Sequence, residues 1–243
     1  MKENKYDTPS FFEQYGKMLR SEKGLEGAGE WHTFQKMLPD FTSKDILDLG
    51  CGFGWHCRFA IEQGAKSVTG IDLSEKMLEK AKEINQLSGI TYVRKALEDL
   101  DYPAEQFDLV LSSLTFHYVE SFETIAANIY QWLKPEGHFV FSVEHPVFTA
   151  EGSQDWAYGS QGQKQNWPVD NYFLEGKRNT TFLGENVVKY HRTLTNYLSS
   201  LLKQGFKIKE VIEPEPTAEM LKEFPEMKEE LRRPMMLLIS VKK

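Results

Sequence analysis

Three observations predict an α/β fold built on a mostly parallel sheet. Between residues 45 and 143, short apolar runs alternate with segments of helical period. A glycine-rich turn, Gly50-Cys51-Gly52-Phe53-Gly54, stands where the first run passes into the first helix. Asp72 closes the second run, roughly 20 residues after that turn. Such alternation is what parallel strands need, because each must return to the same edge through a crossover helix. A chain of 243 residues suits one large domain of this class or one carrying an insertion.

The elements follow in order. Ile46-Leu47-Asp48-Leu49 reads as the first buried strand, with residues 68–71, 90–93, 108–111 and 138–143 as the next four. Ser74 is a good N-cap for a helix whose Met77, Leu78, Ala81 and Ile84 share one face. Phe122, Ile125, Ala126, Ile129 and Leu133 repeat that period, and Pro135 with Gly137 stops it. After Pro146 the pattern breaks. Residues 147–192 are rich in Gly, Asn, Gln and aromatics, and a stretch of this length inside a domain usually has a function or structure of its own. They read as an insertion holding a hairpin of residues 172–182 and 187–192. Leu194, Tyr197, Leu198, Leu201 and Leu202 restore a helix, which Gly205 ends. Residues 206–212 and 235–241 read as two closing strands, joined through a Pro- and Glu-rich link with a short helix after Thr217. They favour an antiparallel addition to the sheet. The expected organisation is an N-terminal helical lid (1–44), a core (45–146 and 193–243) and a lid insertion (147–192).

Bulk properties narrow the function. A formal charge of −7, with no basic run, argues against nucleic acid as a partner. No stretch of about 18 apolar residues is present to span a bilayer. The start, Met1-Lys2-Glu3-Asn4-Lys5, is followed by acidic and aromatic residues instead of an apolar signal core, so a cytoplasmic protein is expected. Cys51 and Cys57 lack His or Cys partners at zinc-site spacing, so no metal is expected and both should be reduced thiols.

Glycines after the first strand let the chain turn tightly and let a ligand approach the backbone. Asp72 stands where a ribose-binding carboxylate is expected. The two serious ligands are NAD and S-adenosylmethionine, since both carry a ribose. A dinucleotide loop wants Gly at its first, third and sixth positions. Gly50 and Gly52 supply two of these, but the sixth is Trp55, whose indole would obstruct the close helix–strand approach. A phosphate loop is excluded because no Gly-Lys-Ser/Thr follows.

The loop 48–54 resembles motif I of the class I methyltransferases. Gly70-Ile71-Asp72-Leu73-Ser74 resembles their second motif, and Phe107-Asp108-Leu109-Val110-Leu111-Ser112-Ser113-Leu114 the fourth. Leu133-Lys134-Pro135-Glu136-Gly137-His138 resembles the turn before strand five. The nearest cluster is the ubiquinone/menaquinone-biosynthesis-like small-molecule group. The resemblance implies a Rossmann-like sheet of seven strands, one of them antiparallel, with helices on both faces and a lid insertion after strand five. It implies S-adenosylmethionine as cofactor and S-adenosylhomocysteine as product. Gly50, Cys51 and Gly52 would pass the methionine part, with Asp48 holding its ammonium directly or through water. Asp72 would accept from the ribose hydroxyls, Leu73 would lie on the adenine, and Ser113 would complete the floor. The family's adenine-binding Asp aligns with Ala96, a departure that leaves the Leu97 N–H and Glu98 or Asp99 to meet the ring. Tyr15 and Arg20, in a helical segment of the kind that often folds over the cofactor, are lid contacts.

Methyl transfer to an activated carbon needs alignment above all, so no strong catalytic signature is required. His117 after strand four and His145 after strand five stand at the edge where ligands sit, and are the candidates for base assistance. His191 and Arg192 are the candidate anchors for an acidic acceptor, Arg offering a planar fork. Trp167 and Tyr172 are candidate walls of the acceptor pocket, with packing the competing reading. The expected function is methyl transfer to O, N or C of a small organic acceptor, by a monomer or homodimer. Two alternatives stay open: a non-catalytic regulatory module that binds the same nucleosides, and a related transferase moving another group.

Overall fold

A computed structural model describes residues 4–243. The N-terminal segment forms α1 (Pro9–Gly16), α2 (Leu19–Glu22) and α3 (Trp31–Met37), with 3-10 turns at Lys5–Asp7 and Gly24–Gly27. The alternating part then gives β1 (Asp45–Leu49), α4 (Trp55–Glu62), β2 (Ser67–Asp72), α5 (Glu75–Ile84), β3 (Ile90–Arg94), β4 (Phe107–Ser113), α6 (Phe122–Trp132) and β5 (Leu133–Glu144). Beyond it lie α7 (Pro146–Thr149), β6 (Ala157–Tyr158), β7 (Lys164–Asn166), β8 (Gly176–Phe182) and β9 (Glu185–His191). The chain ends with α8 (Leu194–Gln204), β10 (Lys207–Ile212), α9 (Ala218–Glu223) and β11 (Met236–Lys242).

Seven strands pair in the order β10-β11-β5-β4-β1-β2-β3. β11 runs antiparallel to both β5 and β10, while the other neighbours are parallel. This is the expected mixed sheet with one reversed strand. Two apolar layers flank it, and the period of two along each strand assigns residues to them. Leu47, Leu49, Phe139, Phe141 and Val143 pack on one face. Ile46, Val140 and Leu238 pack on the other, with Trp31 and Phe34 of α3. The N-caps of α5, α6, α8 and α9 are Ser74, Ser121, Thr193 and Thr217, each accepting from an N–H in the first turn. No helix among the described residues is long and apolar enough to cross a membrane.

Two boundaries differ from expectation. β5 starts at Leu133, five residues early, and takes in Pro135 and Gly137. The pairing with β4 slips between Phe107 and Leu109, so the proline sits in an irregular stretch where its missing N–H costs no ladder bond. The hairpin of the insertion starts at Gly176, not at residue 172. Tyr172 instead serves α8, its hydroxyl accepting the Leu194 N–H at 3.1 Å.

Candidate functional site

The carboxyl ends of β1, β2 and β4 meet at the glycine turn. Gly50 adopts φ 76°, and a Cβ there would fall 2.1 Å from Thr115 Oγ1, so no other residue fits. The N–H of Gly52 donates to one oxygen of Asp72 at 2.9 Å, and the N–H of Ser74 to the other at 2.8 Å. Burial nevertheless pushes the Asp72 carboxyl above its usual range. Below the turn lies Asp48, buried, with one oxygen accepting from the Cys57 thiol at 3.2 Å and the other unpartnered. Burial pushes its pKa up to about 7. A buried carboxylate with an orphaned oxygen is suited to receive a cation or a donor. Cys51 and Cys57 are both free and buried, and burial raises both thiols, which makes them inert packing groups.

The N-terminal segment covers this turn. Asp7 accepts from the Ser74 hydroxyl at 2.5 Å and from the N–H of Lys76 at 3.1 Å, so it pins the chain to the start of α5. This arrangement places a negative charge at a helix N-terminus, where the dipole favours it. Tyr6 and Tyr15 then meet edge to face at 5.3 Å, and Tyr15 meets Phe53 at 5.7 Å. Arg20 forms a two-oxygen pair with Glu30 at 2.8 and 2.7 Å, and Ser113 Oγ donates to the same carboxylate at 3.0 Å. Burial opposes ionisation of Glu30, but Arg20 outweighs it and lowers the pKa.

One cavity of about 370 Å³ runs from the turn toward β5. Gly50, Gly52, Asp72, Leu73, Leu97 and Glu98 line one end, with Tyr15, Arg20 and Ser113 alongside. The far end is walled by His117, Tyr118 and Glu144, by Phe182, Val187 and Val188 of the hairpin, and by Met227, Met235 and Met236. Lys189 backs this wall, bonded to Glu144 at 2.5 Å and to Gln154 at 2.9 Å. Gln154 occupies the second Glu144 oxygen at 2.8 Å. Burial pushes Glu144 up, but His117 and Lys189 hold it down, so it stays ionised and fully engaged. Burial also pushes His117 down to about 4. Its Nδ1 accepts the Glu144 N–H at 3.4 Å, so the neutral ring carries its proton on Nε2.

The expected site residues therefore divide. Tyr15, Arg20, Gly50, Gly52, Asp72, Leu73, Leu97, Glu98, Ser113 and His117 share the cavity, with Asp48 and Cys51 packed beneath the turn. The other five expected residues lie outside its walls, each for a visible reason. His145 is a helix cap: its Nδ1 accepts the Val147 N–H at 3.0 Å, and Nε2 lies 2.7 Å from Glu213. Strand alternation turns Glu144 into the cavity and His145 away from it. His191 is buried between Thr149 Oγ1 at 2.7 Å and the Tyr172 carbonyl at 2.9 Å. Arg192 is buried, and its guanidinium donates to the carbonyls of Phe116, Val119, Glu120 and Tyr190. Trp167 stacks on Phe148 at 4.9 Å with the Arg233 guanidinium 4.3 Å from its ring centre. Tyr172 packs on His191 and supports α8. Trp167 and Tyr172 thus serve packing and not the cavity wall. Sequence reading missed Tyr6, Tyr118, Glu144 and the methionines; only Glu144, at a strand's carboxyl end, carried a signal for it.

Residues 47–141 match the family described as methyltransferase domain. A relative from Haemophilus influenzae without an assigned function is 35% identical across 98% of this chain and 96% of its own. A Listeria monocytogenes structure, assigned as an S-adenosylmethionine-dependent methyltransferase, is 57% identical with a TM-score of 0.86, covering 90% of this chain and 99% of that one. A second so assigned, from Mesorhizobium loti, is 47% identical with a TM-score of 0.84, covering 90% of this chain and 100% of that one. Curated relatives with a named activity are spanned over less of their length, from 35% to 56% in two cases.

Proposed function

This chain belongs to the S-adenosylmethionine-dependent methyltransferases, and from that premise we propose that it methylates a small, largely apolar acceptor held against His117. The observation that carries this reading is the single cavity joining the Asp72 end to the His117–Glu144 end. The residues present suit the cofactor. Asp72 would accept from the ribose hydroxyls, Leu73 and Leu97 would flank the adenine, and the unpartnered oxygen of Asp48 would face the methionine ammonium. When bound, S-adenosylmethionine supplies a methyl group already activated by its sulfonium. The segment 4–44 would serve as cover for the cofactor end, and the hairpin of the insertion as one wall of the acceptor end. The ubiquinone/menaquinone-biosynthesis-like group fits the apolar acceptor wall of methionines, valines and Phe182.

On the acceptor side the side chains position more than they abstract protons. His117 is neutral with its proton on Nε2, so it donates a hydrogen bond and orients the acceptor. Glu144 is occupied by Lys189 and Gln154. Alignment of the nucleophile with the methyl carbon then carries the catalysis, and the acceptor must itself be nucleophilic near neutrality, as an amine, a phenolate or an enolate is. The pH–rate profile is expected to show no histidine inflection between pH 6 and 8, because the His117 pKa lies near 4. An inflection in that window that His117→Gln removes would show His117 working as a base.

Turnover with methyl-labelled cofactor and a metabolite extract tests the activity; a folded protein that binds cofactor yet labels nothing would overturn it. Asp72→Ala is expected to weaken S-adenosylhomocysteine binding by about 2 kcal/mol, since it removes an ionised acceptor. Calorimetry reads this directly, and unchanged affinity would place the ribose elsewhere.

A further inference from the structure

At the far end of the main cavity the 3-10 turn Phe116–Tyr118 presents His117 and Tyr118 side by side, their rings 4.4 Å apart. His117 is 2% exposed, and its Nδ1 accepts the Glu144 N–H. That leaves the Nε2–H to donate, and among the described residues nothing receives it. The Tyr118 hydroxyl oxygen accepts from the Tyr6 hydroxyl at 3.3 Å, so its own proton is likewise without an acceptor among the described residues. Burial and the charge of Glu144 hold the Tyr118 phenol above its ordinary range, so that proton stays on. The acceptors around these two donors are already engaged. Glu144 gives one oxygen to Lys189 and the other to Gln154, whose carbonyl oxygen accepts from Lys189 and Thr180. A buried donor without a partner is costly, so a wall with two such donors and no open carboxylate suits an oxygen acceptor brought by a ligand.

The charges at this end agree. Arg20 cancels against Glu30, and Lys189 against Glu144. Arg192 is 5% exposed, makes no ion pair among the described residues, and grips the Phe116, Val119 and Glu120 carbonyls behind the turn. The balance is therefore positive, in buried surroundings where a charge acts more strongly than in water. The hairpin and methionine part of the wall is apolar and offers an ammonium group no counter-charge.

We propose that His117 and Tyr118 form an oxyanion clamp, and that the methyl acceptor is an apolar molecule bearing an oxygen anion of the phenolate or carboxylate kind, not an amine. The proposal rests on the methyltransferase reading above and narrows its acceptor class. A lone pair of the oxyanion forms the new bond to the methyl carbon while the C–S bond breaks and its electron pair passes to sulfur. Both the sulfonium and the oxyanion are discharged, and no proton has to leave. An ammonium acceptor would first have to lose a proton, and the neutral, donating His117 and the engaged Glu144 are not free to take it.

The test uses the full chain saturated with S-adenosylhomocysteine and three probes of similar size: para-nitrophenol, para-nitrobenzoate and para-nitrobenzylamine. Calorimetry at pH 8 should show at least one of the two anions bound about tenfold more tightly than the amine. Tighter binding of the phenol marks a phenolate acceptor, and of the benzoate a carboxylate. The absorption of para-nitrophenol reports its own ionisation, and its pKa should fall by about one unit on binding, because the two donors favour the charged form. Tyr118→Phe keeps the ring and removes one donor; it should weaken the preferred anion about tenfold and leave the amine and S-adenosylhomocysteine unchanged. If that variant fails to fold by its thermal transition, the ranking of the probes on the wild type decides alone. An amine bound as tightly as the anions, no binding of any probe, a bound nitrophenol whose pKa does not fall, or a folded Tyr118→Phe with unchanged anion affinity overturns the clamp. A wild-type chain that fails to bind S-adenosylhomocysteine overturns the cofactor reading instead, so the two failures are distinct.

Discussion

Asp48→Asn is expected to stabilise the ligand-free protein at pH 8 while weakening its hold on the cofactor. Asp48 is 1% exposed, its only hydrogen-bond partner among the described residues is a thiol, and its pKa stands at about 7. In the unfolded chain the same carboxyl titrates near 3.9. Between these values the folded state binds the extra proton, so this residue makes stability fall as pH rises from about 4 to about 7, and the loss is complete above that. Three pKa units correspond to about 4 kcal/mol. The asparagine carries no charge at any pH and should remove most of that slope. Urea unfolding at pH 5 and pH 8 reads the difference: the variant should gain on the wild type at pH 8 and not at pH 5. Under the proposed role, the ionised carboxylate answers the methionine ammonium, so cofactor binding should release a proton near neutrality in the wild type alone. Titrations in buffers of different ionisation enthalpy would detect it. Parallel stability curves for the two proteins would mean that Asp48 is already neutralised by another route.

What the sequence revealed, and what it hid, follows from the range of the forces involved. The sheet was legible because strand and helix periods are local, and a strand such as residues 46–49 between a polar turn and a glycine loop allows little else. Asp72 was legible for the same reason, since both its element and its position at the strand end are set within a few residues. The acceptor end was not. Glu144 and His145 are neighbours, and which of them faces the cavity depends on the pleat of β5, a parity that a single misplaced strand boundary reverses. The methionines of the last link reach the site only because β11 inserts antiparallel between β5 and β10, bringing Met235 and Met236 beside the end of β5. Tyr6 sits in a 3-10 turn with no periodicity to read, held down by Asp7 on a helix start more than 60 residues away. Trp167 and Tyr172 looked like pocket walls because aromatic side chains serve packing and binding equally well. Their partners, Arg233 and α8, lie far along the chain.

Arg192→Ala should destabilise the protein by about 3–5 kcal/mol, because several buried backbone carbonyls lose the one charged donor they share. Its side chain looked in the sequence like a fork waiting for an acidic acceptor. In the structure the residue is 5% exposed and its guanidinium reaches four backbone carbonyls. Three of them, Phe116, Val119 and Glu120, belong to the 3-10 turn after β4 and its exit, the segment that presents His117 and Tyr118 to the cavity. Truncation leaves these carbonyls without their donor, and each unsatisfied buried group costs roughly 1–3 kcal/mol. The loss should fall on the acceptor end first, because β9 holds this turn through Arg192. Chemical denaturation should show the lower midpoint, and amide exchange should show residues 116–120 opening while the glycine turn stays protected. Arg192→Lys should recover only part of the stability, since an ammonium cannot span the same carbonyls. A fully stable Arg192→Ala protein whose only defect is a raised KM for the acceptor would instead return Arg192 to the acceptor-anchoring role its sequence suggested.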